Sequence, residues 1–442
     1  MKGIERPPVW NQKDFTNEAF KLRGDDKLDA LIYRINEEYL YWDKVKYKNK
    51  GIVSNPELLW SAVKISRVVN AKKLSFGKYK FTYTLTDAIH RGLHEFDLHI
   101  GGNLGAKNII PEEDKKRYLV SSIMEEAIAS SQIEGAVTSR KDAKDMLRKN
   151  TKPRSKSEQM ILNNYTTIKH IVDIQHELLT KEKLFEIHRL ITHQTMDNPM
   201  DEGRFRIDNE VKVIDVADGE IVYTPPDVKE VSPLVYELIN FFNQKDSTFI
   251  HPIVKGCIIH FMIGYIHPFA DGNGRTARAL FYWYLLKNGY WLTEYLSISK
   301  LIIKSKTQYA QAYLHTEIDD NDLTYFIHYK VETMQKAFKS LQLYMQRKIN
   351  EKKKLANIQK INDINERQAL IIGWLNEDED LLFNVKEVEQ RFIVSNQTAR
   401  TDLEVLVNKG YLEVVQLNKK TKSFCRSKKF ESILKEELKK LN

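Results

Sequence analysis

The stretch His267-Pro268-Phe269-Ala270-Asp271-Gly272-Asn273-Gly274-Arg275-Thr276-Ala277-Arg278 lies between two apolar runs, and its reading decides the fold. Ile253 to Ile266 is almost wholly apolar, too long for a strand, and suits a helix buried on most sides. Pro268 follows its end. After the glycines, Ala277, Leu280, Phe281, Trp283, Leu285 and Leu286 give a second apolar helix, which stops at Asn288-Gly289. The quoted stretch is therefore a loop joining two core helices.

Each residue type in this loop has a use in holding a polyphosphate. N–H groups at the start of the second helix, with Gly272 and Gly274 permitting unusual dihedrals and close approach, make an anion nest. Asn273 can add a side-chain donor. Asp271 is a hard oxygen ligand of the kind magnesium takes alongside phosphate and water. Arg275 and Arg278, three residues apart on a helix, can fork onto successive phosphates, and His267 can take a proton near neutral pH. Any one of these residues alone reads as readily as a core histidine or a solvated helix face. The constellation points to a nucleotide-using site.

The loop resembles the signature of Fic-domain proteins, His-Pro-Phe-x-Asp/Glu-Gly-Asn-Gly-Arg-x-x-Arg, with every specified position filled. The resemblance implies a mainly α fold: a helical Fic core with a β-hairpin flap. It also implies a nucleotidyltransferase that moves AMP from ATP, with Mg2+, to a Ser, Thr or Tyr hydroxyl of a target protein, itself included. Carried over by position, His267 is the general base, Asp271 the metal ligand and Asn273 the α-phosphate contact. Gly272 and Gly274 belong to the ATP-binding loop, and Arg275 and Arg278 hold the outer phosphates.

Two further segments fit. Val211 to Ile214 and Ile221 to Pro226 alternate around Ala217-Asp218-Gly219 as a hairpin similar to the Fic flap, onto which a target can add as a strand. Tyr223 and Thr224 would there meet nucleotide or target; a plain surface hairpin is the other reading. Glu112 to Gln132 reads as an amphipathic helix started by Pro111. It leads into Ser130-Ser131-Gln132-Ile133-Glu134-Gly135, which resembles the inhibitory Fic motif. A carboxylate at a helix C-terminus lies on the unfavourable side of the dipole and invites a cation. The resemblance supplies Arg278, and the expectation is a bidentate, water-shielded Glu134–Arg278 pair, with Ser130 in the motif, that competes with ATP.

The rest of the chain bounds the reading. With 442 residues there is room for two or three domains. Two cysteines imply no disulfide framework and fit a reducing cytoplasm. No signal peptide or run of membrane-spanning length occurs, so no membrane partner is expected. Residues 1–110 are read as an N-terminal cap, with helices over Leu28–Trp42 and Pro56–Val69 and a short hairpin or strand over Phe76–Leu85. Residues 111–335 form the Fic core with its inhibitory helix, 336–363 a basic helical connector and 364–442 a second domain. His94 and His99, near Glu95 and Asp97, read as solvated or core-capping rather than as a metal site.

The net charge of +9 is uneven. Helices over Arg367–Leu375, Val385–Phe392 and Ser395–Asn408, then a strand over Glu413–Val415, resemble a winged helix-turn-helix DNA-binding domain. From Asn384 to Lys429 ten Lys/Arg face five Asp/Glu. Lys419, Lys420, Lys422, Arg426, Lys428 and Lys429 are assigned to the wing. If DNA binds, Ser395, Asn396, Gln397, Thr398 and Arg400 would face the groove; such domains also serve protein interaction. The alternative function is a nucleotide-sensing, DNA-binding transcriptional regulator with little transferase activity. A homodimer is what the family resemblance suggests.

Overall fold

The computed structural model describes residues 4–11, 17–19, 24–48, 51–53, 55–101, 112–215, 219–244, 248–416 and 422–440. Pro111, the turn residues Ala217 and Asp218, and the wing lysines Lys419 and Lys420 lie outside them. The chain divides into two compact units, residues 1–341 and 342–442, both mainly helical and each with short antiparallel strands.

The first unit opens with helices α1 (Asp26–Glu37), α2 (Trp42–Val45) and α3 (Pro56–Val69), followed by strands β1 (Lys72–Phe76) and β2 (Tyr79–Tyr83) and helix α4 (Asp87–Phe96). The single helix expected over Leu28–Trp42 is broken, because Tyr39 takes a left-handed φ of 46° and turns the chain back. Helices α1 to α3 share one core with Tyr325. A fully buried ion pair, Lys64 Nζ to Asp319 Oδ1 at 2.8 Å, ties α3 to the later chain. Burying two charges is tolerable here because Tyr325 Oη donates to the second Asp319 oxygen at 2.9 Å.

Helices α5 (Glu112–Ile133), α6 (Arg140–Lys149), α7 (Lys156–Asp173) and α8 (Lys181–Thr192) come next, then the β3 (Val213–Ile214) and β4 (Ile221–Tyr223) hairpin and α9 (Val228–Asn243). The two core helices are α10 (Pro252–Ile266) and α11 (Asn273–Lys287). Nearly every residue of both is buried, as the unbroken apolar run of α10 and the apolar majority of α11 require. They cross closely at Gly256, where an added Cβ would stand 3.3 Å from Leu285. After α12 (Ser299–Ile302) and α13 (Lys306–Ile318), helix α14 runs unbroken from Thr324 to Gln359. The lysine-rich connector is thus the second part of a helix that begins before it.

The second unit holds α15 (Glu366–Glu377), α16 (Val385–Phe392), α17 (Asn396–Asn408), strands β5 (Leu412–Gln416) and β6 (Lys422–Arg426), and α18 (Phe430–Lys439). Reciprocal capping boxes start α15 (Asn365 with Gln368) and α16 (Asn384 with Glu387). Phe383 bridges to Phe424, giving the three-helix and small-sheet arrangement of a winged helix. Arg426, assigned to the wing from sequence, instead ends β6, where it pairs with Glu379 and Glu431 and covers the Phe430 ring. α18 had no counterpart in the sequence reading.

Candidate active site

The loop begins where α10 stops. His267 caps that helix in the left-handed region, φ 49° and ψ 58°, a conformation that costs a non-glycine residue about 1 kcal/mol or more. Its Nδ1 faces the Gly264 carbonyl at 3.2 Å. A carbonyl only accepts, so Nδ1 carries the proton and Nε2 keeps the lone pair a base needs. Burial lowers the pKa of His267, which keeps the ring neutral at physiological pH.

A second histidine builds the loop. His188 on α8 is fully buried and stacks on Phe269 with ring centroids 3.8 Å apart. The Gly203 N–H donates to its Nδ1 at 3.0 Å, so its Nε2–H donates to the Asp271 carbonyl at 2.9 Å. Desolvation pushes its pKa down to about 4, so the neutral tautomer is locked. Gly272 passes directly over this ring at φ +81°; a Cβ there would fall 2.8 Å from Thr192 Cγ2. Nothing in the sequence reading marked His188, because its only local signal is an apolar helix face.

Asn273 differs from expectation. Its side chain is buried and returns to the loop, accepting from the Phe269 N–H at 3.0 Å and donating to the Phe269 carbonyl at 2.8 Å. One of its amide hydrogens is therefore committed to bracing the turn. Asp271 keeps 60 % of its side chain exposed, and its Oδ2 lies 3.3 Å from Arg275 Nη2.

Arg275 is almost fully buried. Its Nη1 donates to the Ile191 carbonyl at 3.1 Å, while its Nε meets no acceptor. Arg278, equally buried, donates through Nε to Ser130 Oγ at 2.7 Å and through Nη2 to Ser130 O at 3.0 Å and Glu134 Oε1 at 2.9 Å; its Nη1 is likewise without an acceptor. Buried, unpartnered cationic donors at a helix start form an anion site.

The Glu134–Arg278 contact is real but is not the bidentate, water-shielded pair expected. Ser130 takes two of the three bonds made by Arg278, and Glu134 retains 28 % of its side-chain surface because it sits at the frayed end of α5 beside Gly135 at φ +93°. The carboxylate also lies over the nest: a Cβ on Gly274 would fall 2.2 Å from Glu134 Oε1.

The hairpin stands beside His267. Tyr223 Oη donates to the Tyr265 carbonyl at 2.8 Å, and burial raises its pKa, so this hydroxyl anchors the hairpin instead of meeting a target. Thr224 follows the strand and is exposed. Ile214 and Ile221 pair across the strands and are both exposed.

The Fic/DOC family model matches residues 178–285, from the approach to α8 almost to the end of α11. The chain contains a Fic domain. Its second unit matches the DeoR-like helix-turn-helix domain over residues 367–415. Similar proteins include the "Protein adenylyltransferase Fic" of Nematostella vectensis, 32 % identical over 26 % of this chain and 24 % of that one. That of Drosophila mojavensis is 28 % identical over 39 % and 30 %. The chain thus spans 24 % and 30 % of the length of these curated relatives. Among solved structures, a Fic family protein from Desulfovibrio desulfuricans G20 covers 76 % of this chain and 96 % of its own at 18 % identity, with a TM-score of 0.49. Fic-1 from C. elegans covers 77 % and 87 % at 17 % identity and 0.45.

In the helix-turn-helix unit, Ser395 caps α17 through the Thr398 N–H at 3.2 Å. Asn396 donates to Glu389 and accepts from Arg400 Nε at 3.1 Å. Ser395, Asn396, Gln397 and Arg400 are exposed at the start of α17, and Thr398 is half-buried. Among the described residues no three metal-ligating side chains converge, near His94 and His99 or elsewhere, and no helix is long and apolar enough to cross a membrane.

Proposed function

We propose that the protein transfers AMP from ATP to a hydroxyl of a target protein and that Glu134 restrains this activity. The observation that carries the reading is the joint arrangement of the loop: a neutral His267 with Nε2 available, and two buried guanidinium groups with unpartnered N–H donors at the start of α11. Arg275, Arg278 and the N–H groups of the nest would hold the outer phosphates. That leaves the α-phosphorus between the nest and His267. Nε2 takes the proton of the target hydroxyl, whose oxygen bonds to the α-phosphorus while the bond to the departing pyrophosphate breaks. Positioning and charge neutralisation supply most of the acceleration.

A magnesium ion fits the residues present. Asp271 offers one exposed hard carboxylate, and phosphate oxygens and water would fill the other positions. When bound, the ion would neutralise charge on the phosphates. The exposed isoleucines of the hairpin give a target strand an apolar edge to join. Glu134 opposes all this by engaging Arg278 and covering Gly274.

The test is incubation of the wild type, Glu134→Gly and Glu134→Gly/His267→Ala proteins with Mg2+ and ATP radiolabelled on the α-phosphate, in lysate and alone. Label should rise in the first variant and vanish in the second. Absence of protein-bound AMP in all three would sink the proposal. A second reading, regulation of transcription through the helix-turn-helix unit, is favoured by the exposed polar start of α17. ATP-responsive binding to a specific DNA site with no AMP transfer would select it.

A further inference from the structure

Arg206 lies in the segment ahead of the hairpin, outside the phosphate loop, and is 5 % exposed. Its guanidinium reaches three chain segments. Nε donates to the carbonyl of His267 at 3.0 Å. Nη1 donates to the Asp208 carbonyl at 2.7 Å and to Asn209 Oδ1 at 3.2 Å, on the segment leading into the hairpin. Nη2 donates to the Pro226 carbonyl, on the segment leading out of it. Its own N–H donates to the Pro268 carbonyl at 2.9 Å, so backbone and side chain together bracket the His267-Pro268 peptide. Asn209 extends the clamp, accepting from the Val228 N–H at 2.8 Å and donating to Asp227 at 2.9 Å.

One planar cation therefore joins both stems of the hairpin to the residue that holds an unfavourable left-handed conformation at the end of α10. Only a guanidinium can donate in these three directions at once. We infer that Arg206 is a positioning residue that couples the hairpin to the base, so that strand docking on β3–β4 and the aim of His267 Nε2 are set by the same side chain. This rests on the transferase reading above.

The groups facing His267 are Glu134 from α5, Asp271 from the loop and Arg206 itself. Burial is the main cause of its lowered pKa; among the charges, the carboxylates favour the imidazolium and the guanidinium disfavours it. Removing the charge of Arg206 thus raises the pKa of His267, and the acid limb of the rate profile should move to higher pH. A merely structural loss would lower stability and rate without moving that limb.

The experiment uses the full chain in the Glu134→Gly background and follows AMP transfer from α-labelled ATP to the protein itself. Arg206→Gln should lower the maximal rate by about 10- to 100-fold, the scale of an ångström-sized misplacement, with KM for ATP within about twofold because Arg206 does not touch the nest. Its acid limb should shift upward. Arg206→Lys keeps the charge, so its acid limb should stay in place while its rate falls between the two. Unchanged rate and unchanged acid limb in Arg206→Gln overturn the coupling. A raised KM for ATP with an unshifted limb does so as well. No label in the parent background is the separate failure of the transferase reading.

Discussion

Removing Glu134 should strengthen ATP binding before any chemistry is measured. The Arg278 Nη2 to Glu134 Oε1 bond, 2.9 Å long, joins a buried guanidinium to a carboxylate that is 28 % exposed. A hydrogen bond to a charged group contributes about 1.5 to 3 kcal/mol, and partial exposure places this one at the lower end. If an outer phosphate must displace it, its loss should tighten ATP binding by about 10- to 30-fold, from about 1.4 kcal/mol per decade. Clearing the carboxylate from above Gly274 acts in the same direction, since the nest can then be approached. Calorimetric titration with Mg2+ and an ATP analogue bridged by methylene between the α and β phosphorus atoms isolates binding from transfer. Glu134→Gln, which keeps the size and loses the charge, should fall between wild type and Glu134→Gly. Dissociation constants within twofold for wild type and Glu134→Gly would refute the competition, and so would an equal gain in an Arg278→Ala background, where no pair exists to break.

Gly272→Ala places a Cβ at φ +81° and 2.8 Å from Thr192, so denaturant unfolding of the first unit should show a loss of about 1 to 3 kcal/mol, together with weaker ATP binding. Burial holds His188 near pKa 4 against an ordinary value of 6.5, so the unfolded chain binds the extra proton between those values. Its stabilising contribution is therefore complete above pH 6.5 and is lost as pH falls towards 4. At pH 5 the loss should be about 2 kcal/mol relative to pH 7, and the His188→Gln protein, unfolded in parallel, should show a shallower pH slope. In the second unit, Asp402 is buried and accepts from Arg367 Nε at 2.6 Å and Asn365 Nδ2 at 2.6 Å. Asp402→Ala should lower the stability of that unit by about 1 to 3 kcal/mol, with the cost reduced because Arg367 reaches solvent.

Much of the fold was legible because its signals are local. The unbroken apolar run of α10 and the apolar positions of α11 dictate buried helices, Gly289 and Gly135 stop their helices in left-handed turns, and Ser395 caps α17. Helix α2 was not legible, because the left-handed turn at Tyr39 depends on packing in the N-terminal core and not on glycine. The clustering of Asp271, Gly272, Gly274, Arg275 and Arg278 was evident because they lie within one short segment.

What the sequence by itself determined is therefore the chemistry on offer: a base, a carboxylate, an anion nest and two arginines in one loop, and a glutamate well upstream. The tertiary structure alone decided how those groups are held. His188 and Arg206 carry no motif, yet the Gly203 N–H fixes the tautomer of the first, and the fold gives the second three carbonyls to hold. It also divided Arg278 between Ser130 and Glu134, and left the carboxylate partly in water. Periodicity and caps are properties of neighbours in the chain. Desolvation and hydrogen-bond partners depend on segments brought together from far apart, and only the folded chain supplies them.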